Sequence, residues 1–152
     1  MSDLALARAL HVAAVLVWIG GVVMLKMVVL PAARAARDPA LYQRVERRFN
    51  AQTRWTLAIA GLSGLYLVWR LGLWPRFAEA RFWWMPAMAA VWAGYALVLF
   101  VLDPLFLRAR FEARLARDPD AALSRMSRHN WLVLVLSLAT VAGAAAGSHG
   151  LL

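Results

Sequence analysis

Four stretches of this chain contain no Asp, Glu, Lys or Arg: residues 9–25, 55–69, 82–102 and 129–152. A helix needs about 20 mostly apolar residues to cross a bilayer, with charges tolerated at its ends. Helices in soluble cores seldom run uncharged for the length of 82–102. The pattern therefore predicts four membrane helices, over 6–30, 55–74, 82–106 and 131–151. The two shorter runs extend through Arg8, Lys26 and Arg70, whose long side chains can snorkel towards headgroups. The chain opens Met1-Ser2-Asp3 with no basic leader, so the first segment reads as a true span and not a cleaved signal. Composition agrees: 63% of the 152 residues are hydrophobic and 16% charged, against roughly half and a quarter in a soluble domain. The expected fold is all-α, one transmembrane four-helix bundle over 1–152. The absence of cysteine excludes disulfides, thiolate metal sites and cysteine catalysis.

The formal net charge of +9 invites a nucleic-acid reading, which the charge map removes. Segment 31–54 carries Arg34, Arg37, Arg44, Arg47, Arg48 and Arg54, and segment 107–130 carries Arg108, Arg110, Arg114, Arg117, Arg125 and Arg128. Basic residues concentrate on the cytoplasmic side of membrane proteins. The two long connections are thus expected in the cytoplasm, against anionic lipid, with both termini and the 75–81 loop on the other side. Trp55 and Trp131 open the second and fourth spans at the inner face, and Trp69, Trp74, Trp83 and Trp84 cluster at the outer face. Only Trp18 and Trp92 lie deep.

Those two tryptophans expose a repeat. Val17-Trp18-Ile19-Gly20 recurs as Val91-Trp92-Ala93-Gly94, 74 positions later. Each copy leads to a proline, Pro31 or Pro104, then to an Arg-rich segment containing Ala-Arg-Asp-Pro, then to a helix opened by Trp. This order points to a duplicated helical hairpin, repeated in parallel. The connections are expected to be helical: Leu41, Val45 and Phe49 recur at spacing four, with arginines on another face. Asp38-Pro39 and Asp118-Pro119 are the expected turns. Gly20, Gly21, Gly61, Gly64, Gly143 and Gly147 are candidate positions of close helix approach, the last pair forming a GxxxG that fits either the bundle or a homodimer.

Few polar groups fall inside the spans, and ionisable ones there are functional candidates. His11 lies about 7 Å into the first helix. Met85 and Met88 open the third span on the same side, and His149 ends the fourth. Imidazole and thioether ligate haem iron or copper, so His11 and His149, with Met85 and Met88, form a candidate metal or cofactor site. Trp18, seven residues from His11 on the same helical face, is a candidate wall for a porphyrin. At the inner face Lys26 and Asp103 are a candidate structural ion pair. No Ser-His-Asp set, phosphate loop or paired carboxylate lies within the spans, which excludes hydrolase and kinase chemistry.

Leu10-His11, then Trp18-Ile19-Gly20-Gly21, then Pro31, resembles the first helix of the CopD/HemJ-like integral membrane families. Arg54 to Trp69, with Gly61-Leu62-Ser63-Gly64, resembles their second helix; the second half is similar in topology only. The HemJ group implies haem b held by the first-helix His and protoporphyrinogen oxidation. The CopD group implies copper passage across a bacterial-type inner membrane. The HemJ proteins also use a lysine early in the third helix; here that stretch reads Phe82-Trp83-Trp84-Met85-Pro86-Ala87-Met88. That departure leaves His149 or a methionine as second ligand and leaves enzyme activity open. The leading expectation is a small b-type haem protein moving electrons in the outer half of the membrane. The alternatives are a copper-handling protein, and a structural or assembly subunit of a membrane complex with no cofactor.

Overall fold

The computed structural model describes residues 3–107, 109–110, 113, 117 and 119–148, with side chains in the last stretch described at 131 and over 134–147. The fold is all-helical, with four helices and no strand among the described residues. Helix α1 runs Asp3–Ala35, with a π-helical stretch at Leu25–Val29. Helix α2 is Pro39–Arg70, α3 is Trp84–Leu107, and α4 is Pro119–Ser148. Two of these, α1 and α3, are long and apolar enough to cross a membrane; residues 134–147 form a shorter apolar stretch.

The boundaries differ from those expected, for local reasons. The chain reverses after α1 through Arg37, at φ 51°. Asp38 then caps α2, its Oδ1 accepting the Leu41 N–H at 3.0 Å, with Pro39 in the first turn where no N–H is needed. The 39–50 connection and the second apolar run are consequently one unbroken helix. It ends at Arg70 and not at 74, because Gly72 takes a left-handed conformation (φ 62°). The Leu73 N–H turns back to the Val68 carbonyl at 2.9 Å, a Schellman closure. Trp74–Ala78 and Ala80–Phe82 form short 3₁₀ turns, which delay α3 from Phe82 to Trp84. Helix α4 begins at Pro119, well before Trp131.

The helices pack as two antiparallel hairpins, α1 on α2 and α3 on α4. Their common core is Trp18, Ile19 and Val22 from α1, Leu57 from α2, Leu99 from α3 and Leu134 from α4. Large side chains enter over glycines: Phe49 over Gly21, Trp92 over Gly61, His11 over Gly64, and Trp83 and Trp84 over Gly143 and Gly147. Gly20 departs from expectation. Nothing lies within 4 Å of a side chain built there, so it is not a packing position in the bundle.

Both apolar helices widen to π geometry near a proline, and in α3 this leaves one carbonyl without its usual partner. A π turn sends the carbonyl of residue i to the N–H five residues on. Within Leu97–Leu107 the fifth residue after Leu99 is Pro104, which has no N–H. The Leu99 carbonyl instead accepts from Arg54 Nη2 of α2, at 3.5 Å. An orphaned, half-buried carbonyl costs about 1–3 kcal/mol. Arg54→Met should therefore lower the unfolding free energy by about 1 kcal/mol. In a Pro104→Ala background, whose new N–H can serve Leu99, the same change should cost much less. Thermal unfolding of the four proteins checks this; an equal cost in both backgrounds would place the role of Arg54 elsewhere.

Candidate functional site

Helix α2 presents Ala60-Gly61-Leu62-Ser63-Gly64 to two rings from different helices. Gly64 has no side chain, so α1 comes close enough for the half-buried His11 ring to rest on it; a Cβ there would be 2.9 Å from His11 Cε1. His11 Nδ1 is 2.9 Å from the Ala60 carbonyl and 3.3 Å from Ser63 Oγ. A carbonyl only accepts, so Nδ1 carries the proton and donates to Ala60. That fixes the tautomer and leaves the Nε2 lone pair free to ligate. Nε2 makes no hydrogen bond among the described residues. The Ser63 hydroxyl donates back to the Ile59 carbonyl at 2.6 Å. One turn away the Trp92 Nε1–H of α3 donates to the Leu57 carbonyl at 2.8 Å, its ring over Gly61.

Beside His11 an apolar groove of about 370 Å³ runs between α1 and α2, lined by Leu6, Ala7, Leu10, Ile59, Leu62 and Ser63 and ending at Asp3 and Tyr66. Asp3 Oδ2 accepts from the Tyr66 hydroxyl at 2.6 Å and from Arg70 Nη2 at 3.0 Å. The cluster ties the start of α1 to the end of α2.

Trp18 is not drawn into this site. Trp18 is 4% exposed and packs edge-to-face on Tyr95 of α3, with ring centroids 4.8 Å apart. It belongs to the core about 10 Å along α1 from His11, where Tyr95 engages its ring. Met85 and Met88 are half-buried in the first turns of α3, a stretch whose Trp83 and Trp84 are seated on α4. His149 lies outside the described residues.

Ion pairs among the described residues include Arg44–Asp38, Arg70–Asp3 and Arg81–Glu79. The expected Lys26–Asp103 pair is not among these. Lys26 is 6% exposed in the π turn of α1, which packs on α2 and α4. Asp103 sits in the π stretch of α3, which packs on α2. The GxxxG of α4 is likewise taken within the chain, its glycines covered by Trp83 and Trp84.

Two further groups carried no sequence signal. Trp18 Nε1 and Thr53 Oγ1 are buried with no hydrogen-bond partner among the described residues. The acceptor that orients His11 is a backbone carbonyl, which no residue type announces. No group of three or more His, Cys, Asp or Glu residues among the described residues is placed to hold a metal ion. Comparison with protein-family models, curated proteins and solved structures gives no match to this chain.

Proposed function

We propose that the chain is a four-span integral membrane protein that holds haem b through His11 and serves electron transfer in the outer half of a bacterial-type inner membrane. The observation that carries this reading is the orientation of His11: Nδ1 tied to the Ala60 carbonyl, Nε2 free to ligate. A ligating His commonly donates its other nitrogen to such an acceptor. His11 would hold haem b through Nε2, with His149, Met85 or Met88 as candidates for a second ligand. When bound there, haem supplies one-electron chemistry between ferric and ferrous iron. The chain's own part is to fix the imidazole, through Ala60, Ser63 and Gly64, and to surround it with apolar side chains such as Leu10.

Membrane insertion of all four helices is supported by their outward faces. Leu16, Val28, Leu62, Leu65, Leu105 and Val135, drawn from every helix, are each more than half exposed. Apolar surface of that extent needs lipid or protein to cover it. In this reading the arginine segments face the cytoplasm. C-terminal fusions to alkaline phosphatase and to a fluorescent protein should give phosphatase activity and no fluorescence; the reverse result would invert the topology.

The purified protein should be red, with a Soret band that shifts on reduction. Colourless protein with stoichiometric copper would transfer the same His/Met donors to copper handling. A second reading, the structural or assembly subunit, is favoured by one observation. The His11 contacts to Ala60 and Gly64 tie α1 to α2 with no cofactor needed. Colourless, metal-free protein that co-purifies with a membrane partner would favour it.

A further inference from the structure

Arg44, Arg47 and Arg48 of α2 line, with Leu41 and Val45, a groove of about 520 Å³. Its base is rigid. Leu41 packs against the buried cluster of Leu30, Ala33 and Tyr42, which clamps the end of α1 to the start of α2 just inside the capped turn at Asp38. The level of the groove is the informative feature. Gly21 against Phe49 and Leu30 against Tyr42 fix the antiparallel register. Arg44–Arg48 therefore stand abreast of residues 22–28 of α1, where Met24, Met27 and Val28 are exposed and apolar. On α3, beyond the Arg54–Leu99 contact, Leu105 and Phe106 are 61% and 54% exposed. Three guanidinium groups thus sit at the rim of the apolar belt.

Asp38 lies 3.4 Å from Arg44, across a pair that is itself well exposed. A phosphodiester is the anion available at the acyl–headgroup boundary, and its oxygens match the planar donor fork of arginine. The wall is chemically mixed in the same sense as such a lipid: charge on the arginines, aliphatic surface on Leu41 and Val45. A soluble anion would have no use for the aliphatic part. We propose that this groove binds one anionic phospholipid, its phosphate on Arg44, Arg47 and Arg48 and its glycerol and first methylenes on Leu41 and Val45. The proposal rests on the reading of the chain as membrane-embedded, and the test separates the two.

The full chain is reconstituted into nanodiscs of phosphatidylcholine with a minor fraction of phosphatidylglycerol, and lipid retained on the released protein is counted by native mass spectrometry. Wild type should retain one phosphatidylglycerol in preference to phosphatidylcholine by about tenfold, the order expected for a few basic side chains near an anionic surface. The Arg44→Gln/Arg47→Gln/Arg48→Gln variant should lose that preference, while Arg76→Gln/Arg81→Gln, at the opposite end of the bundle, should keep it. If the triple variant does not insert, Arg48→Gln alone is read, with an expected loss of about threefold. Protein that enters the discs but shows equal preference in all variants overturns the lipid site and leaves the membrane reading standing. Protein that never enters a bilayer overturns both. Displacement of the retained lipid by inorganic phosphate alone would make this a free-anion site and overturn the lipid assignment.

Discussion

His11→Ala should remove the haem spectrum while leaving the bundle inserted and helical. Ligation depends on one nitrogen, Nε2, and alanine has none. Insertion depends on summed apolarity, which alanine at this depth does not reduce. The structural cost is bounded. The hydrogen bond to the Ala60 carbonyl is worth about 1 kcal/mol, and the rest of the α1–α2 contact, from Asp3–Arg70 to Leu30–Tyr42, is untouched. Far-ultraviolet dichroism should be unchanged and the Soret band lost. Ser63→Ala is the control: it removes a hydroxyl 3.3 Å from Nδ1 but leaves the carbonyl, and should keep the band. The second ligand is read from the same spectra. His149→Ala shifts or weakens the band if the site is bis-His. Met85→Ala or Met88→Ala does so if it is His/Met, with a higher potential in the wild type. A His11→Ala protein with its full spectrum would sink the redox reading. Wild type without haem or copper would leave the structural subunit as the better account.

The helices were legible because the chain separates its charges so sharply. Four uncharged runs, closed by Asp38-Pro39 and broken by arginines, announce four helices whatever surrounds them. Their lengths were less legible. Periodicity marks the 40–50 segment as helical, but nothing local says that it runs without a break into Trp55. The end at Arg70 was written in Gly72, whose left-handed backbone stops the helix. Pro31 and Pro104 were visible as a repeated feature. Which carbonyl each orphans depends on whether the turn closes as α or π, and tertiary packing decides that.

At the site, sequence gave depth and not azimuth. His11 could be placed near the start of the first helix, but its partner is the backbone of Ala60, one turn from the glycine that lets it approach. Lys26 and Asp103 were matched by depth alone; the turn that carries Lys26 packs on α2 and α4, and the stretch that carries Asp103 packs on α2. Trp18 and Trp92 were paired by the repeat, yet one is buried edge-on to Tyr95 while the other donates to Leu57. A repeat in sequence repeats residue types; it does not oblige the two copies to meet the same surroundings.

The glycines of α4 make the sharpest test of this packing. Gly147 lies directly beneath the Trp84 ring, and Trp84 is 7% exposed, so there is no free space into which a larger side chain could turn. Gly147→Leu should force the indole out of its seat and part α3 from α4. Overpacking alone costs about 1–3 kcal/mol, and the exposed tryptophan adds lost dispersion contact. The expected loss is thus about 3 kcal/mol, the upper part of that range, read as a fall in melting temperature in a fixed detergent. Trp84→Ala in the Gly147→Leu background should recover part of it, since the ring that clashes is gone. Gly20→Ala is the counterpart. Nothing lies within 4 Å of that position, and alanine is the better helix former by roughly 1 kcal/mol, so stability should hold or rise. Size-exclusion chromatography with light scattering on the same samples separates the bundle from a dimer. If Gly147→Leu leaves the melting temperature unchanged but dissociates an oligomer, the glycine pair serves contact between chains, and the seating of Trp84 is not what holds the second hairpin together.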